Sequence, residues 1–218
     1  ACVVFFRINE VSVAGNSHYT AQEIIDASGI QVGDNLMALS KSRGASAIRA
    51  KLPYVEAVSI QRLLPDGVLL TVTERVAAAS IDTDQGRWLI SSGGRLLEQG
   101  TGEGVVEITG LTALSPYAGE TVQVAEEDEA TLGYVIEILA ALEGRGMLSQ
   151  CTGLDCGQTA GIWVTWGIYQ LKFPRGGDYE KMLSMLEAAM DSGKIPEEEA
   201  GTFDFSVAEG ELYFRRNT

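Results

Sequence analysis

The chain has 218 residues, of which 45% are apolar and 21% are charged, and its formal net charge is −14. These proportions are ordinary for a globular protein and exclude an intrinsically disordered chain. Acidic side chains outnumber basic ones by 30 to 16. This balance argues against binding to nucleic acid or to anionic lipid, since both need a basic surface.

The chain opens with the apolar segment Ala1–Phe6, and no run of 18 or more apolar residues follows that could span a bilayer. The opening segment has two interpretations. It is either the remainder of an upstream segment that has been removed or a buried first strand, and composition does not separate them.

The first strand and the first helix have clear local signals. Val11-Ser-Val13 alternates as a strand does. Thr20-Ala-Gln-Glu23 is a capping box, in which each of the two polar side chains can bond the backbone amide of the other. Gly29 supplies the left-handed residue that ends many helices, so a short helix is predicted over about 20–28.

A second helix and a hairpin complete the first 75 residues. The helix is predicted from Ala45, Ile48 and Leu52 on one face and ends at Pro53, although Gly44 inside it weakens the prediction. The hairpin joins two alternating strands through the turn Leu64-Pro-Asp-Gly67; the strands are marked by Val58, Ile60, Leu70 and Val72. The resulting order β-α-α-β-β predicts a three-stranded sheet with both helices on one face.

Residues 76–218 are predicted to be mainly strands with two helices. The strands and turns come in chain order: Trp88–Ile90, Ser92–Gly94, Arg95–Leu97, Val105–Thr109, Ile162–Trp166, Gly167, Tyr169–Phe173, Phe203–Val207, Glu209–Gly210 and Leu212–Arg216. The first of the two helices begins at the acidic run Glu126–Glu129 and ends at Gly144 and Gly146; its apolar stripe is Leu132, Val135, Ile136 and Leu139. The second is capped by Asp178, and its stripe is Met182, Leu183, Leu186 and Met190.

No residue pattern in the sequence predicts a catalytic, cofactor or metal site. The single histidine, His18, lies in a predicted turn and is interpreted as an exposed turn residue. Gly100–Gly104 lacks the Lys-Ser/Thr pair of a phosphate-binding loop. Asp82–Gly86 lacks the ligands of a calcium loop and is predicted to be a hairpin tip, and the acidic runs, which include Glu197–Glu199, are predicted to be solvated. No reaction class is indicated, so we predict that the protein is not an enzyme and has no small-molecule substrate.

The three cysteines do not have the spacing of a zinc site. Cys151 and Cys156 flank a predicted short loop, Thr-Gly-Leu-Asp. They form either a local disulfide in an oxidising compartment or two ordinary thiols near a turn, and both readings stay open.

The first 75 residues resemble the POTRA domain of the FtsQ/DivIB family of bacterial division proteins. The resemblance is carried by a string of short motifs: Phe6-Arg-Ile8, Val11-Ser-Val13, Gly15-Asn16, Tyr19-Thr20, Glu23-Ile24, Gly29 to Leu36, Ile48, Leu52-Pro-Tyr-Val55, Val58-Ser-Ile60, Arg62, Leu64-Pro-Asp66 and Val72-Thr-Glu-Arg75. After this string, Trp88–Ile90 and Gly94–Leu97 resemble the first hairpin of the family's second domain. The resemblance is strong to about residue 98 and rests on layout beyond it.

The resemblance implies an α+β protein with a POTRA domain over residues 1–75 and a mixed, mostly antiparallel β-domain with two helices over residues 76–218. It implies a scaffold anchored in the cell membrane by a single upstream helix, with this part outside the cytoplasm. The implied partners are the division proteins FtsB (DivIC) and FtsL, and the implied role is assembly of the septal cell-wall machinery. A POTRA-containing assembly or secretion factor that chaperones substrate strands is the alternative.

The resemblance also implies that the last strand of the second domain receives the partner. The expected binding residues are Leu212, Tyr213, Phe214, Arg215 and Arg216. An edge strand leaves backbone groups unpaired, so a partner strand can add to it. Leu212 and Phe214 are expected to face one way, with Tyr213 as an aromatic anchor on the other side. The competing interpretation makes Leu212 and Phe214 core residues and the two arginines solubilising charges.

Overall fold

The structure is a computed structural model that describes residues 6–193, 199–208 and 210–216. The predicted features at Ala1–Phe5, Glu197, Glu198 and Glu209 lie outside the described residues. The chain divides into two compact units, Ala1–Val76 and Ala77–Thr218. Each is described below by itself.

The first unit has the predicted order of strands and helices. Its elements are β1 (Glu10–Ala14), α1 (Ala21–Ser28), a 3-10 turn (Leu36–Ala38), α2 (Lys41–Lys51), β2 (Val55–Leu63) and β3 (Gly67–Glu74). The sheet order is β1-β3-β2, with β1 parallel and β2 antiparallel to β3. The sequence-based order β-α-α-β-β is therefore confirmed.

Local sequence signals define the helices of this unit. Thr20 caps α1: its hydroxyl accepts from the amide of Glu23 at 3.3 Å, and the Glu23 carboxylate accepts from the amide of Thr20 at 2.8 Å. Gly29 ends α1 with a φ of 70°. In α2, a Cβ on Gly44 would lie 2.9 Å from Cδ1 of Ile60. Glycine at this position lets α2 pack closely on β2, which explains a residue that local helix propensity disfavours.

One face of the small sheet forms the core of the first unit. Val68, Leu70 and Val72 alternate along β3 and are buried, so their side chains share one face. Ile24 of α1 and Ile48 of α2 belong to the same buried cluster. Burial of each such side chain stabilises the fold by about 1.5–3 kcal/mol.

The second unit contains nine strands and two helices within the described residues. They are β4 (Ala79–Thr83), β5 (Gly86–Ile90), β6 (Leu96–Gln99), β7 (Val106–Ala113), α3 (Glu129–Gly144), β8 (Cys151–Asp155), β9 (Ile162–Trp166), β10 (Tyr169–Phe173), α4 (Tyr179–Asp191), β11 (Gly201–Asp204) and β12 (Tyr213–Arg216). The strands form one sheet in the order β12-β11-β10-β9-β8-β7-β4-β5-β6. Three neighbouring pairs are parallel and five are antiparallel. The predicted α+β class with a mixed, mostly antiparallel second part is confirmed.

Helices α3 and α4 bury one face of this sheet. Their buried residues are Val135, Ile138, Leu139, Ala141 and Leu142 of α3 and Tyr179, Leu183 and Leu186 of α4. Met182 and Met190 are half-buried against the same core, as is Leu132, and the side chain of Ile136 is also only half-buried. The buried stripe of α3 therefore begins one turn later than the sequence spacing predicted, because its first turn only borders the core.

Two local predictions in this unit are wrong. The segment between Cys151 and Cys156 is strand β8 rather than a loop. Five residues of extended chain separate the two Cα atoms by about 16 Å, whereas a disulfide needs less than about 7 Å. Both cysteines are accordingly free and buried. The strand predicted at Phe203–Val207 instead runs over Gly201–Asp204. It ends at Asp204 because the carboxylate of that residue accepts hydrogen bonds from the amide and hydroxyl of Ser206 and bends the chain.

Candidate partner-binding site

Strand β12 lies at one end of the nine-stranded sheet. It pairs with β11 through the register Phe203↔Phe214 and Asp204↔Tyr213. No other strand among the described residues pairs with its outer side. In an antiparallel strand, alternate residues turn their amide and carbonyl groups away from the neighbour, so β12 presents unpaired backbone groups outward.

The opposite end of the sheet is partly covered by the chain itself. The amide of Leu96 at the start of β6 donates to the carbonyl of Glu120 at 2.8 Å, and the amide of Gly119 donates back to the carbonyl of Leu96 at 2.8 Å. The amide of Val122 donates to the carbonyl of Gly94 at 2.9 Å. Segment 119–122 therefore protects the beginning of the β6 edge, whereas β12 has no such cover among the described residues.

Phe214 attaches β12 to the core. Its ring centre lies 4.9 Å from that of Phe203 and 6.4 Å from that of Tyr169. The ring also lies over Gly201, where a Cβ would approach Cε2 of Phe214 to 2.4 Å. Leu212 is half-buried against the same core. The competing interpretation of these two residues is thus correct in part, because both contribute to packing.

Tyr213 and Arg215 lie on the face of β12 opposite Phe214, away from the two helices. Tyr213 continues a row of polar and aromatic residues that crosses the sheet, namely Asp155, Trp163, Lys172, Asp204 and Tyr213. Within this row the Lys172 ammonium contacts the Asp204 carboxylate at 3.1 Å and lies 5.7 Å from the Trp163 ring centre. Tyr213 itself is exposed, and its hydroxyl donates to Glu211, a hydrogen bond that raises the pKa of the phenol.

The two arginines differ in their surroundings. Nε of Arg216 lies 3.0 Å from the carboxylate of Glu199, and the Arg216 side chain is exposed. An exposed pair of this kind contributes about 0–1 kcal/mol to stability, so the contact is easily exchanged. Arg215 is exposed on the other face of the strand. Glu199 was predicted to be solvated, and sequence gave no signal for its proximity to Arg216.

A groove runs beside β12 along α4. It has a volume of about 720 Å³ and is lined mainly by small and apolar side chains, including Met185, Ala188, Ala189, Leu212 and Phe214. A second cavity of about 470 Å³ shares Met185 with it and extends toward the start of α4. The exposed backbone of β12 and this apolar groove therefore adjoin each other.

The first unit also has open strands. Its sheet order places β2 at one edge and β1 at the other. The pairing of β2 with β3 shifts between Val55 and Ala57, a bulge of the kind that discourages further pairing. Strand β12 shows no such irregularity in its register with β11.

The remaining candidate residues do not assemble into a chemical site. His18 is exposed and stacks on Tyr54 with ring centres 3.7 Å apart. Thr83–Gly86 form the tip of the β4–β5 hairpin, as predicted for Asp82–Gly86. Within the described residues, no group of three or more His, Cys, Asp or Glu side chains could hold a metal ion. In the same part of the chain, no helix has the length and apolar character needed to cross a membrane.

Comparison with known proteins gives consistent results over both units. The family profile described as "POTRA domain, FtsQ-type" matches residues 6–75. The cell division protein FtsQ of Syntrophotalea carbinolica is 26% identical over 188 residues, which cover 84% of this chain and 64% of that protein. FtsQ of an Anaeromyxobacter species is 28% identical over 67% of this chain and 48% of its own length. The cell division protein DivIB of Clostridium acetobutylicum is 29% identical over 50% of this chain and 44% of its own.

The matched region spans between 44% and 64% of the length of these relatives. The first of the three alignments extends well beyond the POTRA domain into the second unit, since it covers 188 residues of this chain. The resemblance inferred from the sequence motifs is confirmed. The chain is therefore similar to the FtsQ and DivIB cell division proteins, and its residues 6–75 match the FtsQ-type POTRA domain.

Proposed function

We propose that this chain is the extracytoplasmic part of a non-enzymatic division scaffold that binds a protein of the FtsB (DivIC) type, together with FtsL, by strand addition to β12. The observation that carries the proposal is the position of β12 at an end of the nine-stranded sheet, with its outer side open within the described residues. A single helix upstream of this chain anchors the protein in the cell membrane. The bound complex helps to assemble the septal cell-wall machinery.

The side chains of β12 have different roles in binding. Phe214 and Leu212 hold the strand in place against the core, so the partner meets a preformed edge. Tyr213 supplies an exposed aromatic surface beside the new strand, and aromatic residues often dominate such interfaces. Arg215 and Arg216 favour an acidic partner segment in an otherwise acidic chain.

The test measures the affinity of the chain for the C-terminal fragment of its FtsB- or DivIC-type partner by calorimetry. We expect Tyr213→Ala to weaken binding by about 30-fold, the effect of losing a strong interface anchor of about 2 kcal/mol. Tyr117→Ala is the matched control, because Tyr117 is equally a surface tyrosine but lies in the loop after β7. It should leave the affinity unchanged.

Amide hydrogen exchange tests the strand-addition step separately. Outward amides of β12 should be protected when the partner fragment is added, while amides of segment 119–122 should not change. Unchanged affinity of Tyr213→Ala together with unprotected β12 amides would show that the partner binds elsewhere.

A further inference from the structure

Four exposed apolar side chains surround the point where the chain enters the first unit. They are Val32, Met37, Leu63 and Leu64, which are between 46% and 69% exposed. Leu63 is the last residue of β2 and Leu64 is the first residue of the β2–β3 turn, where polar residues and glycine are the usual choice. Isolated apolar side chains at a surface need no explanation, but several at one end of a small domain indicate a contact with a protein or a membrane.

Hydrogen bonds hold these residues together with Phe6–Asn9. The amide of Leu36 donates to the carbonyl of Phe6 at 2.8 Å, and the amide of Gly33 donates to the carbonyl of Ile8 at 2.7 Å. The amide of Asn9 donates to the carbonyl of Asp66 in the β2–β3 turn at 2.8 Å. We call segments 29–40 and 62–67, which carry the four apolar residues, the N-terminal rim.

Arg62 fixes the two segments of the N-terminal rim to each other. Its Nε donates to the carbonyl of Leu36 at 2.8 Å, and its Nη2 donates to the carbonyls of Leu39 at 2.8 Å and Met37 at 3.3 Å. These bonds hold in place the backbone that carries Met37 and Leu63, and a docking surface needs such a fixed backbone.

The first unit does not share the net negative charge of the whole chain. Residues 1–75 contain seven basic and seven acidic side chains, so the net charge of −14 is carried by residues 76–218. Helix α2, which starts at the N-terminal rim, has four basic residues and no acidic one. Lys41 and Arg43 lie in its first turn and are exposed, and Arg7 is exposed beside Asn35. The acidic residues of the rim itself, Asp34 and Asp66, accept hydrogen bonds from the amide of Gln31 and the side chain of Asn9. The net charge of the whole chain, which argues against anionic lipid, therefore does not describe this end of the molecule.

We propose that the N-terminal rim rests on the lipid bilayer, with Val32, Met37, Leu63 and Leu64 in the interface and Lys41 and Arg43 near anionic headgroups. The proposal rests on the proposed function for the presence of a membrane beside this unit. Three further observations favour a bilayer over a protein partner. The apolar residues lie at the tips of separate turns rather than along one groove. The sequence that leads directly into Phe6, Ala1-Cys-Val-Val-Phe, is apolar. The charged residues of α2 that lie nearest to the N-terminal rim, Lys41 and Arg43, are basic.

This contact would set the orientation of the POTRA domain. The chain enters the unit at the N-terminal rim, and it leaves from the other end of β3, at Glu74 and Arg75. A rim seated on the bilayer therefore directs the exit of the POTRA domain away from the membrane. The surface orients the domain, and it takes no part in the capture of a strand at β12.

The test uses an environment-sensitive fluorophore on single cysteines in the full chain, tethered through a C-terminal histidine tag to vesicles that carry a nickel-chelating lipid. The tether then does not itself hold the rim at the surface. Labels replace Leu64 (Leu64→Cys) and Met37 (Met37→Cys), and Cys2→Ala removes the third native thiol, since Cys151 and Cys156 are buried. Val76→Cys is the matched control, because Val76 is 67% exposed against 69% for Leu64 and lies at the opposite end of the same unit.

On vesicles of phosphatidylcholine with phosphatidylglycerol, labels at 64 and 37 should emit at shorter wavelength and be quenched severalfold more slowly by an aqueous quencher than the label at 76. The difference should shrink in Lys41→Glu/Arg43→Glu and on pure phosphatidylcholine. Equal behaviour of all three labels would overturn the proposal. Protection of label 64 without vesicles that grows with protein concentration would also overturn it, since the rim would then pack against a second copy. Neither result depends on binding of the FtsB-type fragment, so the two proposals fail independently.

Discussion

Glu74, at the end of β3, is held by the loop that follows β1. Its carboxylate accepts from the amides of His18 at 2.6 Å, Ser17 at 2.7 Å and Tyr19 at 3.2 Å, and from the Ser17 hydroxyl at 2.8 Å. Partial burial acts to raise the pKa of this carboxyl group, but the hydrogen bonds outweigh it and the pKa is lowered. The Val-x-Glu-Arg motif that marked this position in the sequence is therefore a loop anchor.

We expect Glu74→Gln to destabilise the first unit by about 1.5–3 kcal/mol at pH 7, because hydrogen bonds to a charged group are lost. A lowered folded-state pKa contributes stability that is present above the unfolded pKa of about 4.3 and is lost as pH falls through the folded value. The difference from wild type should therefore shrink between pH 7 and pH 3.

Urea unfolding followed by tryptophan fluorescence and by circular dichroism distinguishes the unfolding of the two units. All three tryptophans lie in the second unit, so tryptophan fluorescence should be unaffected by Glu74→Gln while circular dichroism shows the earlier loss of the first unit. Glu56→Gln, at an exposed position of β2, is the control. A loss that stays the same at pH 3 would mean that the carboxylate charge is not the cause.

The two cysteines of the second unit give a second test at the residue scale. Burial raises the pKa of the Cys151 thiol to about 12 and that of the Cys156 thiol to about 11. Thiolate, the reactive form, is then scarce at pH 8. In a Cys2→Ser chain we expect no reaction with a disulfide reagent until urea unfolds the protein, and no change of unfolding midpoint with reductant. Rapid labelling of the native chain, or a mass two hydrogens lower than the dithiol, would contradict the free, buried thiols.

At the scale of elements, two glycines should respond to alanine in opposite directions. A Cβ at Gly201 would lie 2.4 Å from Cε2 of Phe214 and 2.7 Å from the carbonyl oxygen of Arg215, so β12 must move. We expect Gly201→Ala to cost about 1–3 kcal/mol and to speed amide exchange in β12. Gly133 is exposed inside α3 with no atom within 4 Å of an added Cβ, so Gly133→Ala should stabilise by about 0.5–1 kcal/mol.

Tryptophan-monitored urea unfolding measures both variants in the unit that contains them. Faster exchange in Gly201→Ala should be confined to β11 and β12. Equal stability of the two variants would show that Phe214 does not need the space above Gly201, and the packing account of β12 would then be wrong.

Sequence predicted those elements whose signals are local. The capping box at Thr20, the turn at Leu64–Gly67 and the hairpin at Gly167 each specify their own geometry within a few residues. Strands β4 and β8 were not predicted, because each is held inside the sheet by a parallel pairing with β7, a strand distant from both along the chain. The end of β11 is a different case, because it is set by the local contact of Asp204 with Ser206, which the alternation over Phe203–Val207 does not reveal.

The candidate site shows the same division. Alternation along Leu212–Arg216 was sufficient to predict a strand and to place Tyr213 and Phe214 on opposite faces. The edge position of this strand was inferred from the family resemblance, since strand order in a sheet is a property of the whole chain. Residues that support the strand from elsewhere, such as Gly201, Phe203 and Glu199, carried no signal of their own, because a glycine or a phenylalanine in a short apolar stretch has many possible reasons.

At the scale of the whole molecule, the net charge of the chain and the local charge at the proposed site have opposite signs. The chain carries −14, whereas β12 itself presents Arg215 and Arg216. At about 0.01 M salt the screening length is about 30 Å, so the acidic second unit as a whole repels an acidic partner segment. At about 0.15 M it is about 8 Å, and the two arginines dominate the approach. At still higher salt their attraction is screened as well.

We therefore expect the association rate constant of an acidic FtsB- or DivIC-type fragment to rise between about 0.01 and 0.1 M salt and to fall above it. Stopped-flow mixing with a fluorescent fragment measures it. Arg215→Gln should lower the maximum and leave the rise at low salt intact, because that rise reflects the rest of the molecule. A rate that increases steadily up to 0.5 M salt would mean that the arginines do not guide the partner, and that the edge of β12 captures its strand through backbone and aromatic contacts alone.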